Sequence, residues 1–226
     1  MQGKVLIITG ALGALGKVVA EIAQSRGARI AGIDHATSQV PATAESIEIG
    51  GVDLSDAAQA KTAVEAAARH FGKLDALINI AGGFALETVG DGDIKTWQRM
   101  HALNVLTALN SSRAALPHLA ASSAGRIVNI GAMGALQAGS GMAPYAASKA
   151  GVHRLTEALA SEWKGKVTVN AVLPSIIDTK ANRADMPKAD FSKWVTPQEL
   201  AEVILFLASD AASGITGALI PVGGRV

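Results

Sequence analysis

The chain has no cysteine, which removes disulfides, thiolate catalysis and zinc–thiolate centres from consideration. Its histidines, His35, His70, His101, His118 and His153, show no metal-ligand spacing; each reads as a surface or packing residue, and no metal site is expected. An excess of one charge is also missing. The 20 basic and 19 acidic residues leave a net charge of +1, so there is no basic face for nucleic acid. No apolar run reaches the roughly eighteen residues needed to span a bilayer. The apolar N-terminus has no basic flank and no small-residue cleavage site, and its glycines suit a nucleotide turn better than a signal peptide. Linkers and low-complexity tracts are absent. The 226 residues, 49% hydrophobic and 17% charged, therefore read as one domain, 1–226, with a sizeable core. The expected protein is soluble and cytoplasmic, acts on a small molecule, and has neither nucleic-acid nor membrane partners.

What the chain does contain is a regular alternation of strand and helix patterns, the mark of an α/β fold with a parallel sheet. Strands are expected over 4–9, 28–33, 46–52, 74–80, 125–130, 167–173 and 215–222. Helices are expected over 55–70, from about 94 to 116 with an end before Pro117, over 144–163 and over 200–208, with Thr196-Pro197 as a start signal for the last. The connection 35–45 is short and polar with Pro41 inside it, so no crossover helix is expected there. Right-handed crossovers then predict a Rossmann-type doubly wound sheet of order 3-2-1-4-5-6-7.

The run Lys4 to Thr9 leads directly into Gly10-Ala11-Leu12-Gly13-Ala14-Leu15-Gly16 and then a helical pattern. A strand, a glycine-rich turn and a helix N-terminus together make an anion site, since free backbone N–H groups and the helix dipole point at the same place. The plain alternative is a tight strand-to-helix turn with no ligand. The next strand ends on Asp34, eighteen residues after Gly16. A carboxylate there suits the two adenosine ribose hydroxyls and repels a 2′-phosphate. No arginine follows in His35-Ala36-Thr37-Ser38, so NAD is preferred to NADP; the alternative is an aspartate that merely caps a loop.

Tyr145 and Lys149 stand four residues apart in a segment with Val152, Leu155 and Leu159 on one helical stripe. A phenol of ordinary pKa, about 10, is a poor acid-base catalyst at neutral pH. A lysine cation close by favours the phenolate and is expected to pull that pKa down, which makes the pair a proton donor and acceptor.

Assembled, these pieces resemble the short-chain dehydrogenase/reductase family over nearly the whole chain. Thr9-Gly10-x-x-x-Ala14-x-Gly16 is similar to its cofactor turn, Asp53-Leu54 to its adenine contact, and Asn79-Ile80-Ala81-Gly82 to its NNAG element. Asn104 is similar to its proton-relay asparagine, Tyr145 with Lys149 to its catalytic pair, and Pro174 to Thr179, Ile177 included, to the segment that closes over the nicotinamide. The resemblance implies Lys149 on the nicotinamide ribose and Asn104 holding a water that links the lysine to solvent. It breaks at one point: the family's catalytic serine stands thirteen residues before the tyrosine, and that position is Ala132. The dihydropteridine reductase branch also lacks that serine, keeps the Tyr/Lys pair and uses NADH. Ala81 to Phe84, Gly131 to His153 and Leu173 to Trp194 resemble that branch.

The segment 175–197 shows little periodicity and is expected to be a substrate lid. Ile176, Ile177, Met186, Phe191 and Trp194 give it apolar matter, and Asn182 and Arg183 could meet a polar edge. Trp194 equally suits a role as a loop anchor, and Phe84 is the better stacking candidate. Small residues in the tyrosine helix, with the family's habits, predict a homo-oligomer, dimer or tetramer. Three functions follow: an NADH-dependent reductase of a small cyclic, quinonoid compound; an ordinary carbonyl or alcohol oxidoreductase such as a 3-oxoacyl reductase; or a dinucleotide-binding sensor that turns nothing over.

Overall fold

The structure, a computed structural model, describes residues 1–226. Seven strands form one parallel sheet: β1 (Val5–Thr9), β2 (Arg29–Ile33), β3 (Ser46–Ile49), β4 (Ala76–Asn79), β5 (Gly125–Ile130), β6 (Val167–Pro174) and β7 (Leu219–Val222). Their spatial order is 3-2-1-4-5-6-7, as the alternation of patterns predicts. Every residue of β1 and β4 is buried because helices cover both faces of the sheet. Successive side chains of β1 feed opposite cores. Val5 and Ile7 pack with Val64 of α2 (Ala57–Phe71), Leu116 of α4 (Thr107–Ala121) and Leu159 of α5 (Ala143–Glu162). Leu6 and Ile8 pack with Val19 of α1 (Ala14–Ser25) and Ile204 of α7 (Pro197–Leu207).

No helix forms between β2 and β3, in keeping with the polar 35–45 stretch. The α7 start is a full capping box: the Glu199 N–H donates to the Thr196 hydroxyl, and the Glu199 carboxylate accepts the Thr196 N–H. Strand order reverses between β1 and β4, which opens a crevice at the carboxyl ends of these strands. No helix is long and apolar enough to cross a membrane.

Two expectations need correction. The single helix over 94–116 is instead α3 (Ile94–His101), a π-helical turn (Ala102–Leu106) and α4, which runs through Pro117 to Ala121. Pro117 and Arg113 both lie on the exposed side, so the hydrogen bond that proline forfeits is lost where solvent can replace it. The π turn accommodates one extra residue per turn without ending the helix. The segment 175–197 is not structureless either. It contains α6 (Lys180–Asp185), a 3-10 turn (Phe191–Lys193) and a parallel bridge between Ile177 and Val195. Its base is fastened to the last strand, where Ser175 donates its N–H to the Val222 carbonyl (3.1 Å) and its hydroxyl to the Gly223 carbonyl (2.8 Å). Its order comes from docking, with Trp194 and Val195 buried, and docking leaves no period in a sequence.

The opposite end of the sheet is held by the buried Asp75 carboxylate. It accepts the Val5 N–H (2.9 Å), the Ser122 hydroxyl (2.8 Å) and the Lys73 ammonium (2.7 Å). Burial acts to raise its pKa, but these bonds outweigh it and hold the carboxyl below the usual range. The stability it contributes is therefore present above the ordinary aspartate pKa and lost as pH falls through the lowered one. Asp75→Ala should cost about 1–3 kcal/mol in urea denaturation at neutral pH, the cost of a buried N–H left without an acceptor, and should flatten the acid side of the stability profile.

Candidate active site

The crevice at the β1/β4 switch encloses about 490 Å³. Its floor is the glycine turn. Gly10 has φ +67°, and a Cβ on it would stand 2.9 Å from the Ala81 nitrogen; a Cβ on Gly16 would stand 2.2 Å from the Gly10 carbonyl oxygen. Helix α1 begins at Gly13 with no side-chain cap and no acidic residue in its first turn. In contrast, α2 is capped by Asp56 and α7 by Thr196. The first N–H groups of α1 are thus left for an anion.

Of the expected cofactor residues, Gly10, Leu12, Gly13, Ala14, Leu15, Gly16, Asp34, Asp53, Leu54, Ala81 and Gly82 line this crevice. Asp34 is held from both sides, with one oxygen accepting the Leu12 N–H and the other the Ala36 N–H, both at 2.9 Å. Asp53 accepts the Ser55 hydroxyl (2.7 Å) and N–H (2.9 Å), which hold its carboxyl below the usual range. Thr9 and Asn79 stand behind the crevice. The Thr9 hydroxyl accepts the N–H groups of Ile80 and Ala81 (3.1 Å each). The Asn79 amide donates inward to Asn129 Oδ1 (2.8 Å) and the Ser112 hydroxyl (3.1 Å), so Thr9 fixes the backbone at the β4 exit while Asn79 is turned into the protein. His35, Val52, Ile80, Leu103 and Thr107 also line the crevice. Val52 and Ile80 adjoin expected residues and were within reach of sequence reasoning; Leu103 and Thr107 are aimed by the π turn, which leaves no sequence signal.

Tyr145, Lys149, Pro174, Ile177 and Thr179 do not line the crevice; α5 presents Tyr145 and Lys149 on one face beside it, where a Cβ on the crevice residue Gly82 would stand 3.5 Å from Lys149 Nζ. Burial pushes the Tyr145 phenol up to about 12 and the Lys149 ammonium down to about 8. The expected lowering of the phenol does not occur, because desolvation dominates; the Lys149 Nζ donates to the Ile130 carbonyl (2.7 Å). Phe84, 55% exposed, sets its ring edge-on to Tyr145 at 4.9 Å. Asn104, in the π turn, accepts the Gly83 N–H and donates to the Gly83 carbonyl, both at 3.0 Å, and donates to the Ser148 hydroxyl (2.9 Å). Ser148 in turn donates to the Tyr145 carbonyl (2.7 Å). The asparagine thus clamps the exit of β4 to the tyrosine helix.

Ala132 is buried in extended backbone at the exit of β5. No hydroxyl takes over its place: Ser140 is exposed, and Ser148 is engaged as above. In the 175–197 segment, Pro174 ends β6, Ile177 bridges to Val195, and Thr179 caps α6. Asn182 donates to the Ile177 carbonyl (2.7 Å). Arg183 pairs with Asp178 at 2.5 and 2.7 Å and lies over the Phe191 ring. Trp194 is 3% exposed and packs on Phe191. Asn182, Arg183 and Trp194 therefore build the segment itself, and Arg183 and Trp194 face a separate hollow that shares no residue with the crevice.

A family model described as short chain dehydrogenase matches residues 4–190. The chain is 32% identical to a D-threitol dehydrogenase of Mycolicibacterium smegmatis, aligned over 99% of this chain and 93% of that one. It is 30% identical to a 3-oxoacyl-[acyl-carrier-protein] reductase of Thermotoga maritima, over 99% and 98% respectively. Among solved structures it superposes on a short-chain dehydrogenase/reductase from Brucella melitensis, described as glucose/ribitol dehydrogenase, with a TM-score of 0.91 at 28% identity, over 99% of this chain and 96% of that one.

Tyr145 is the single tyrosine of the chain, so phenolate absorbance reports on it alone. Alkaline titration of the folded protein should give a midpoint of about 12. Lys149→Met should scarcely move that midpoint, because the lysine loses its proton near 8 and is neutral before the phenol ionises.

Proposed function

The chain belongs to the short-chain dehydrogenase/reductase family and is an oxidoreductase of that nicotinamide-dependent class, and we propose that it uses NADH to reduce a small, flat, electron-poor ring of the quinonoid dihydropteridine type. The observation that carries this reading is Ala132 beside an otherwise complete Tyr145, Lys149 and Asn104 set. A ketone builds a localised oxyanion that a serine hydroxyl would hold. A quinonoid ring spreads its charge, and it needs one proton and little else from the protein. The resemblance of 81–84, 131–153 and 173–194 to dihydropteridine reductase supports the same substrate class.

The glycine turn and the uncapped start of α1 fit a pyrophosphate. Asp34, with no arginine in 35–38, favours the unphosphorylated ribose. Bound NADH would supply the hydride. Tyr145, protonated at neutral pH, stands ready as the proton donor, and Lys149 is a cation below about 8. Phe84 offers an exposed aromatic ring beside Tyr145. The segment 175–197, with Pro174, Ile177 and Thr179 at its base, would cover the nicotinamide. Ala147 and Ala150 on α5 suit pairing of two copies, and we place the protein as a homo-oligomer.

A second reading, an ordinary carbonyl or alcohol oxidoreductase, is favoured by the relatives, whose names specify D-threitol and a 3-oxoacyl-[acyl-carrier-protein]. NADH oxidation with quinonoid dihydropterin and with a ketone panel separates the two. The expected result is turnover of the pterin, lost in Tyr145→Phe with NADH affinity kept within a few-fold; turnover of ketones alone would replace the first reading by the second. Ala132→Ser should raise ketone reduction by about 10²-fold or more, the worth of one oxyanion donor, and leave pterin turnover little changed. For the wild type, kcat/KM for reduction should fall as pH rises through about 8, where Lys149 loses its charge.

A further inference from the structure

His153 sits on α5 one turn beyond Lys149 and two beyond Tyr145, so the three share a stripe. It is 2% exposed. Its Nε2 accepts the N–H of Ala132 at 3.3 Å. Space for the ring exists only because the intervening residue is glycine: a Cβ on Gly131 would stand 2.5 Å from the imidazole Nε2 and 2.7 Å from Cδ2. Two side chains of one helix therefore grip two successive peptide groups at the exit of β5. Lys149 holds the Ile130 carbonyl, and His153 holds the Ala132 amide. The Gly131 N–H, in the first of those peptide groups, is bonded to Val172 of β6 (2.9 Å).

We propose that His153 is a positioning residue of the reacting site: as the neutral Nδ1–H tautomer it accepts the Ala132 amide and fixes the strand exit to which Lys149 is anchored. An imidazolium could not serve, because both of its nitrogens donate. The surroundings keep the ring neutral. Burial lowers its pKa, and the Arg154 and Lys149 cations of the same helix lower it further. The backbone exit that faces it, Ile130 to Ala132, and Leu173 from β6 bring no charge. The consequence for the site is that the backbone of Ala132, where a family serine would stand, is set by a side chain of the catalytic helix.

The inference uses the reductase reading for its activity measurement and has a second measurement that does not depend on it. Nitrogen-15 NMR of histidine-labelled, full-length protein, with the signal assigned by its loss in His153→Gln, should show Nε2 without a proton at neutral pH. Amide exchange at Ala132 should speed up by about 10-fold in His153→Leu, the worth of one hydrogen bond, and return toward wild type in His153→Gln, whose carbonyl oxygen can still accept. With pterin and NADH, kcat should fall by about the same factor in His153→Leu and recover in His153→Gln, with NADH affinity within a few-fold throughout. A protonated Nε2, or an Ala132 amide indifferent to both variants, overturns the proposal even if His153→Leu folds poorly. Wild-type kcat in His153→Leu overturns it as well. A wild type inert toward every acceptor would instead overturn the reductase reading and leave His153 to be decided by the tautomer and the exchange rates.

Discussion

The approach of α1 to the end of β1 is set by a missing atom, since a Cβ on Gly16 would lie 2.2 Å from the Gly10 carbonyl oxygen. That approach places the free N–H groups of the helix at the crevice floor, and the rest of the site is fastened to it in sequence. The Leu12 N–H of the same turn holds Asp34. Thr9, the last residue of β1, takes the N–H groups of Ile80 and Ala81, so the exit of β4 is registered to the turn. Asn104 clamps Gly83 and passes through Ser148 to the Tyr145 carbonyl. From pyrophosphate floor to phenol, the connection runs through backbone groups and short polar side chains with few rotatable bonds. A Cβ on Gly82 would fall 2.5 Å from Asn104 Oδ1, so the same economy of atoms recurs at the far end.

How much of this was legible in the sequence depends on how local the cause is. Strand order, the glycine turn, the Thr196 start of α7 and the shared face of Tyr145 and Lys149 are each set by a few neighbouring residues, and a period or a spacing reveals them. The π turn is not local in that sense. Nothing in Ala102–Leu106 distinguishes an insertion from a continuous helix, and what holds Asn104 there are partners in Gly83 and Ser148, 21 and 44 residues away. Asn79 was read as a ligand contact on the strength of its motif, but a motif names a residue and not the direction of its side chain. Trp194 and Arg183 show the same limit: composition announced apolar and polar matter in the lid, while docking decided that both turn to the segment itself. The lysine is the sharpest case. Spacing puts its ammonium on the phenol's face of the helix, and a carbonyl on β5 then claims it.

The electrostatics expected of the pair are reversed as well. Burial is the cause of both shifts, up for Tyr145 and down for Lys149, and each moves toward its neutral form, as desolvation requires. A phenol whose pKa is raised is a weak base and a competent acid, so this arrangement suits proton delivery better than proton abstraction. Proton abstraction would need a positive charge brought close to the phenol to offset its desolvation, and Lys149, one turn along the same helix, is committed to the Ile130 carbonyl.

Ala132 then acquires a meaning that depends on the substrate. Where a reaction concentrates charge on one oxygen, a lost donor costs about 3–4 kcal/mol of transition-state stabilisation, and with Ser140 exposed and Ser148 engaged the site offers no replacement. Where charge spreads over a ring, the same hydroxyl would have little to stabilise, and burying it beside an apolar ring would cost desolvation without return. At that position the peptide N–H of Ala132 is held by the His153 imidazole, and the one proton donor of the site, Tyr145, stands against the exposed ring of Phe84. The alanine that would cripple a ketone reductase is, on the same physical grounds, the better residue for a delocalised acceptor.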